Sequence, residues 1–159
     1  VEPDAVRGYA IGGLPHVALH GVRVIRCERC GAESVVIPKI AQLHRVLADL
    51  FVKQPRMLAP VEVRFLRKHV GMSTADFARA MGVARETVSR WESGSAPMGQ
   101  VADRLLRLLV LTHEPAESYV VEDLLAELTG ERPPRRLAPV AMQNSRTGWR
   151  PARLEPQPS

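Results

Sequence analysis

Between Pro60 and about Leu111, apolar residues recur at helical spacing with short interruptions, which predicts helices near residues 60–70, 74–81, 85–92 and 100–111. Gly71, Gly82 and Gly94 stand just past three of them, where a left-handed residue commonly closes the last turn. Upstream, Ile40, Leu43, Val46, Leu47 and Leu50 share one face of a further helix over 39–53, with Pro38 in its first turn and Pro55 helping to end it. Earlier still the period shortens to two: Val22, Val24 and Arg26 alternate with Arg23, Ile25 and Cys27, and residues 34–37 offer another short strand. Val120, Val121, Leu124, Leu125 and Leu128 predict a short helix near 120–129 with an acidic outer face. From Glu131 onward the chain is rich in Pro and Arg with almost no apolar period, so it is expected to be largely disordered.

This pattern divides the chain into a β-rich module over 1–37, an amphipathic helix and hinge over 38–58, a helical bundle over 59–112, an acidic helix over 113–130 and a tail over 131–159. The fold expected is mostly α, a bundle of four or five helices preceded by a small β-rich module.

The most informative stretch runs from Ser73 to Gly94. Two helices that cross steeply over a short turn need a small residue where they nearly touch, and Ala78 supplies it. The turn needs a residue tolerant of positive φ, met by Gly82. Phe77, Met81, Val83, Val88 and Trp91 occupy the inward positions, and Ser73 stands where it can cap the first helix. These are the steric requirements of a helix-turn-helix.

Residues 60–111, and above all the run Thr87-Val88-Ser89-Arg90-Trp91-Glu92-x-Gly94, resemble the Cro/cI-like (XRE) helix-turn-helix domains. The resemblance implies a dimeric regulator that reads a double-stranded DNA operator in the major groove. Carried over position by position, it puts Arg85, Glu86 and Arg90 at base edges, and Thr74 at a phosphate. Ser73, Thr87, Ser89 and Ser93 lie nearby as candidates for backbone or secondary contacts. Either arginine could donate two bonds to guanine, and Glu86 could accept from cytosine N4 or orient Arg85. Arg67 and Glu92 match positions that pair across the bundle, and the phase of Trp91 makes it core. Thr74 and Ala84 depart from the family pattern, leaving Ala84 with no side chain to cap the second helix.

Cys27 and Cys30 form a single C-x-x-C before Gly31, similar to one knuckle of a zinc ribbon. A structural zinc needs four protein ligands, so the partners are expected upstream of Val1 or from His16 and His20; otherwise the pair is simply two reduced thiols. A redox pair is disfavoured, because the cysteines follow a strand instead of opening a helix. The module order resembles YgiT-type (MqsA-like) zinc-finger antitoxins, which implies zinc, a homodimer and a toxin protein as partner.

Charge adds little to this picture. The net formal charge is +5, and residues 113–130 hold five acids with no Lys or Arg. The basic excess therefore falls on the two expected modules and on the tail, which suits a polyanionic partner. No apolar run reaches the roughly 20 residues that span a bilayer, and a cytoplasmic location is expected. No catalytic motif or clustered acid pair appears, and the five histidines are scattered. An enzyme is not expected. The alternative to a regulator is a protein-interaction adaptor built on the same bundle.

Overall fold

A computed structural model of the chain describes residues 2–113 and 128–152. Among the described residues there are five α-helices and five strands, so the fold is mixed α and β where a mostly α chain was expected. It separates into two compact units. Unit 1 comprises residues 1–47 and 136–159, and unit 2 comprises residues 48–135.

Unit 1 is built on a five-stranded sheet. Its strands are β1 (Glu2–Tyr9), β2 (Leu14–Arg26), β3 (Glu33–Val36), β4 (Val140–Ser145) and β5 (Gly148–Ala152). The long strand β2 organises the rest. One of its edges pairs antiparallel with β1. Its other edge takes β4 in parallel along Val17–His20 and β3 antiparallel along Arg23–Arg26. Between those two partners β2 carries one extra residue relative to β1, since Ala5 and Arg7 face Val22 and Leu19. Gly21, at φ 75°, accommodates that bulge. The bulge explains the burial pattern. Val17 and Leu19 lie inward at odd positions, Val22 and Val24 at even ones, and all four are buried. A side chain at Gly21 would also press on the Asn144 carbonyl of β4 at 3.2 Å.

The segment expected to be disordered instead supplies the β4–β5 hairpin. Its two-residue turn, Arg146-Thr147, lies between the paired Ser145 and Gly148. Met142 is fully buried and Trp149 nearly so. Burying each such side chain contributes roughly 1.5–3 kcal/mol, enough to hold a short hairpin on a sheet despite its Pro- and Arg-rich flanks. The Trp149 indole N–H donates to the Pro38 carbonyl at 2.6 Å, and its backbone N–H donates to Gln42 Oε1 at 3.1 Å. Tyr9 and His44 meet through Oη and Nε2 at 2.6 Å, and burial raises the Tyr9 phenol above its ordinary pKa.

The chain passes from unit 1 to unit 2 within α1 (Ile40–Val52). Its buried positions are Leu43, Leu47, Ala48, Phe51 and Val52, while Ile40, expected on that face, is 47% exposed. Unit 2 continues with α2 (Pro60–His69), α3 (Thr74–Met81), α4 (Arg85–Ser93) and α5 (Gln100–His113), each within two residues of its predicted span. The acidic helix expected near 120–129 falls largely on 114–127, outside the described residues.

Two charged residues sit in the core stripe of α5. Arg107 is fully buried and Asp103 nearly so, in phase with Leu106, Val110 and Leu111. Arg107 donates to Asp103 at 2.7 Å and to the carbonyls of Phe51, Val52, Gln54 and Arg56 at 3.3, 2.6, 2.7 and 2.6 Å. Asp103 accepts the Leu58 N–H at 2.7 Å. One guanidinium thus satisfies carbonyls left over where α1 ends. Glu62, also fully buried, accepts from Arg56 at 2.8 and 2.9 Å and from the Ala59 N–H that opens α2.

Candidate nucleic-acid interface

The pair α3–α4 is fixed at both ends by local chemistry. Ser73 Oγ accepts the Asp76 N–H at 3.1 Å and donates to the Asp76 carboxylate at 2.6 Å, which satisfies one free donor of the first turn. That hydroxyl, followed by Arg79 at 3.1 Å, holds the Asp76 carboxyl below the usual aspartate pKa. At the far end Gly82 adopts φ 66°, its N–H reaches the Arg79 carbonyl, and the Val83 N–H reaches that of Ala78. This double closure is a Schellman motif, and only a left-handed residue permits it. Gly71 and Gly94 close α2 and α4 with φ of 73° and 79°.

Behind the pair lies an apolar seam. Phe77, Ala78, Val88 and Trp91 are buried, while Met81 and Val83, also expected inward, are half-buried. Arg67 of α2 and Glu92 of α4 lock the bundle from the side. Nε and Nη2 of Arg67 meet the two Glu92 oxygens at 2.5 and 3.1 Å, and Nη1 donates to the Met72 carbonyl at 2.7 Å. Both side chains are about nine-tenths covered, so this fork is worth more than an exposed pair.

In front of the seam the candidate contact residues share one face of α4. Arg85, Glu86, Ser89, Arg90 and Ser93 are exposed and Thr87 is half-buried. The side chains of Arg85, Glu86 and Arg90 make no hydrogen bond or ion pair with the described residues. Glu86 therefore does not orient Arg85 here. Ser93 is engaged, donating to the Arg90 carbonyl at 3.2 Å and meeting Ser95 at 2.8 Å. Ser73 is exposed and Thr74 half-buried at the start of α3. Ala84 precedes α4 in extended geometry with no side-chain cap.

Residues 63–113 match the helix-turn-helix family model. The match begins within α2 and ends with α5, so it lies in unit 2. No curated protein and no solved structure matches the chain. A helix-turn-helix that leaves two guanidiniums and a carboxylate exposed on one helix face, while Glu62, Arg67, Asp103 and Arg107 are buried in its frame, can present hydrogen-bonding side chains to a groove.

The cysteine pair occupies the turn between β2 and β3. The Cys27 N–H donates to the Ala32 carbonyl at 2.8 Å, the Gly31 N–H donates to the Cys27 carbonyl at 2.9 Å, and Gly31 has φ 70°. Both thiols are free and exposed. Backbone N–H groups of Cys30 and Arg29, then the Cys30 thiol, lower the Cys27 pKa below its ordinary value. His16 and His20 do not join them. They lie back along β2, and at about 3.3 Å per residue His20 is roughly 23 Å from Cys27. Among the described residues no three His, Cys, Asp or Glu groups gather as a metal site.

Sequence reasoning missed the Arg107–Asp103 pair. Its signal was present: two opposite charges four apart, both in the apolar phase of α5.

Proposed function

We propose that this protein is a sequence-specific DNA-binding transcriptional regulator that acts as a repressor, with α4 as its recognition helix. The observation that carries the reading is the unpartnered, exposed trio Arg85, Glu86 and Arg90 on a helix whose remaining faces are committed to the core. Arg85 and Arg90 donate to guanine edges and Glu86 accepts from cytosine, while Ser73, Thr74, Thr87 and Ser89 contact backbone.

The protein binds as a homodimer. Supporting this, α5 leaves Val101 82% and Leu105 36% exposed, followed by half-buried Leu108 and exposed Thr112. Their 4-3-4 spacing is that of a heptad seam, which a second copy would cover. A two-fold dimer reads inverted half-sites with centres about one turn apart, roughly 34 Å. Selection from a random duplex library is expected to enrich such a palindrome; recovery of no motif above the starting pool would overturn the reading and favour an adaptor.

Cys27 and Cys30 hold half of a structural zinc site, the other ligands lying outside the described residues. The knuckle geometry and the lowered Cys27 pKa suit a thiolate ligand. Zinc content of the purified chain, set beside Cys27→Ser/Cys30→Ser, tests this. The cysteine knuckle of β1–β3, placed ahead of the helix-turn-helix in the chain, supports an antitoxin that controls its own operon from the cytoplasm. Co-purification of a protein encoded by the adjacent gene tests that step. No helix among the described residues is long and apolar enough to cross a membrane.

A further inference from the structure

We infer that unit 2 carries a second site, a cleft for a small apolar molecule bearing one carboxylate. The cleft encloses about 580 Å³, inside the range of roughly 300–1,000 Å³ typical of small-ligand pockets. Leu58, Val63, Trp91 and Met98 line it, each at least nine-tenths covered, so its interior is apolar and already formed.

The polar part of the lining is sparse and has one sign. Among the described residues that line the cleft, Arg132 is the only charged side chain, and no acid faces it. Arg132 is exposed and makes no hydrogen bond or ion pair with the described residues. Gln100 adds an amide. Gly130, at φ 70°, leaves room for that amide, because a Cβ there would lie 2.0 Å from Gln100 Nε2. The strap carrying Gly130 and Arg132 is tied down by two backbone bonds, Thr129 N–H to the Pro55 carbonyl at 3.0 Å and Met57 N–H to that of Glu131 at 2.8 Å.

These features select a ligand by chemistry. An apolar body gains by leaving water for the Trp91–Met98 interior. A carboxylate pairs with a guanidinium that has no partner among the described residues, in a fork geometry that suits it. A cation would be repelled, and a neutral head would gain no charge attraction from Arg132. Ligand binding at this cleft does not depend on whether α4 reads DNA, so it is measured without DNA.

The test is calorimetry on the full chain with phenylbutyrate, naphthylacetate and decanoate, each beside its primary amide. Acids should bind about two- to five-fold more tightly than their amides, the gain expected of an ion pair at an exposed arginine. Arg132→Gln, at an exposed position, should bring the acids down to the amides' affinity. Ala96→Phe, which puts a ring into the cleft, should weaken both. Equal affinity of acid and amide, binding undiminished in Ala96→Phe, or no binding by any of the six compounds would overturn the proposal.

Discussion

Replacing Arg107 tests what the buried charges of α5 do. Arg107 is fully buried and its guanidinium meets one carboxylate and four carbonyls. Arg107→Met alone leaves Asp103 as a buried charge with only the Leu58 N–H, a change that costs about 3–5 kcal/mol. The informative variant is the double one, Asp103→Leu/Arg107→Met. Were the pair only a salt bridge, swapping both partners for apolar residues would be nearly neutral. Here the carbonyls of Val52, Gln54 and Arg56 lose the guanidinium in either variant, while that of Phe51 keeps the Gln54 N–H. At about 1–3 kcal/mol for each unsatisfied group, and with water reaching some of them, at least about 2 kcal/mol should persist in the double variant. Urea unfolding in a Trp149→Phe background, where Trp91 is the sole indole, reports on unit 2. A double variant within about 0.5 kcal/mol of its parent would refute the idea that Arg107 serves chiefly as a cap for the end of α1.

Further outcomes follow from the same contacts. Ala84→Ser supplies the cap that α4 lacks and should stabilise the domain by about 0.5–2 kcal/mol in the same unfolding assay, without shifting DNA sequence preference. Gly82→Ala places a Cβ at φ 66° and should cost about 1–2 kcal/mol. Because the folded Asp76 carboxyl sits below its ordinary 3.8, its contribution is present above that value and lost as pH falls through the lower folded value. Carboxyl NMR titration should show Ser73→Ala moving Asp76 back up toward 3.8. Gly21→Val forces a β-branched residue to φ 75° against the Asn144 carbonyl and should loosen β4, read as faster exchange of the β4 amides.

The helices α2 to α5 were almost fully legible. They announce themselves by capping residues and by glycines at Gly71, Gly82 and Gly94, all local features that a single sequence carries. The exposed face of α4 follows from the same phase that buries Val88 and Trp91. Unit 1 was legible only in part, because its sheet is non-local. The parallel pairing of β2 with β4 joins residues more than a hundred apart, and nothing in Val140–Ser145 names its partner. Composition also misled: the prolines and arginines around residues 131–139 and 150–153 outweighed the short apolar run Val140–Met142 and the lone Trp149. The bulge at Gly21 shifts the apolar phase of β2, so one long strand reads as two short ones.

Base reading by α4 rests on Arg85 and Arg90, and a comparison of two duplexes isolates it. Fluorescence anisotropy would compare the selected palindrome with a shuffled duplex at fixed salt, for the parent, Arg85→Gln and Arg90→Gln. Loss of a bidentate guanine contact should narrow the gap between the two duplexes by about 1–3 kcal/mol per half-site, with the shuffled duplex weakened much less. Equal weakening of both duplexes would mean that these arginines meet only phosphates and that α4 does not read the sequence.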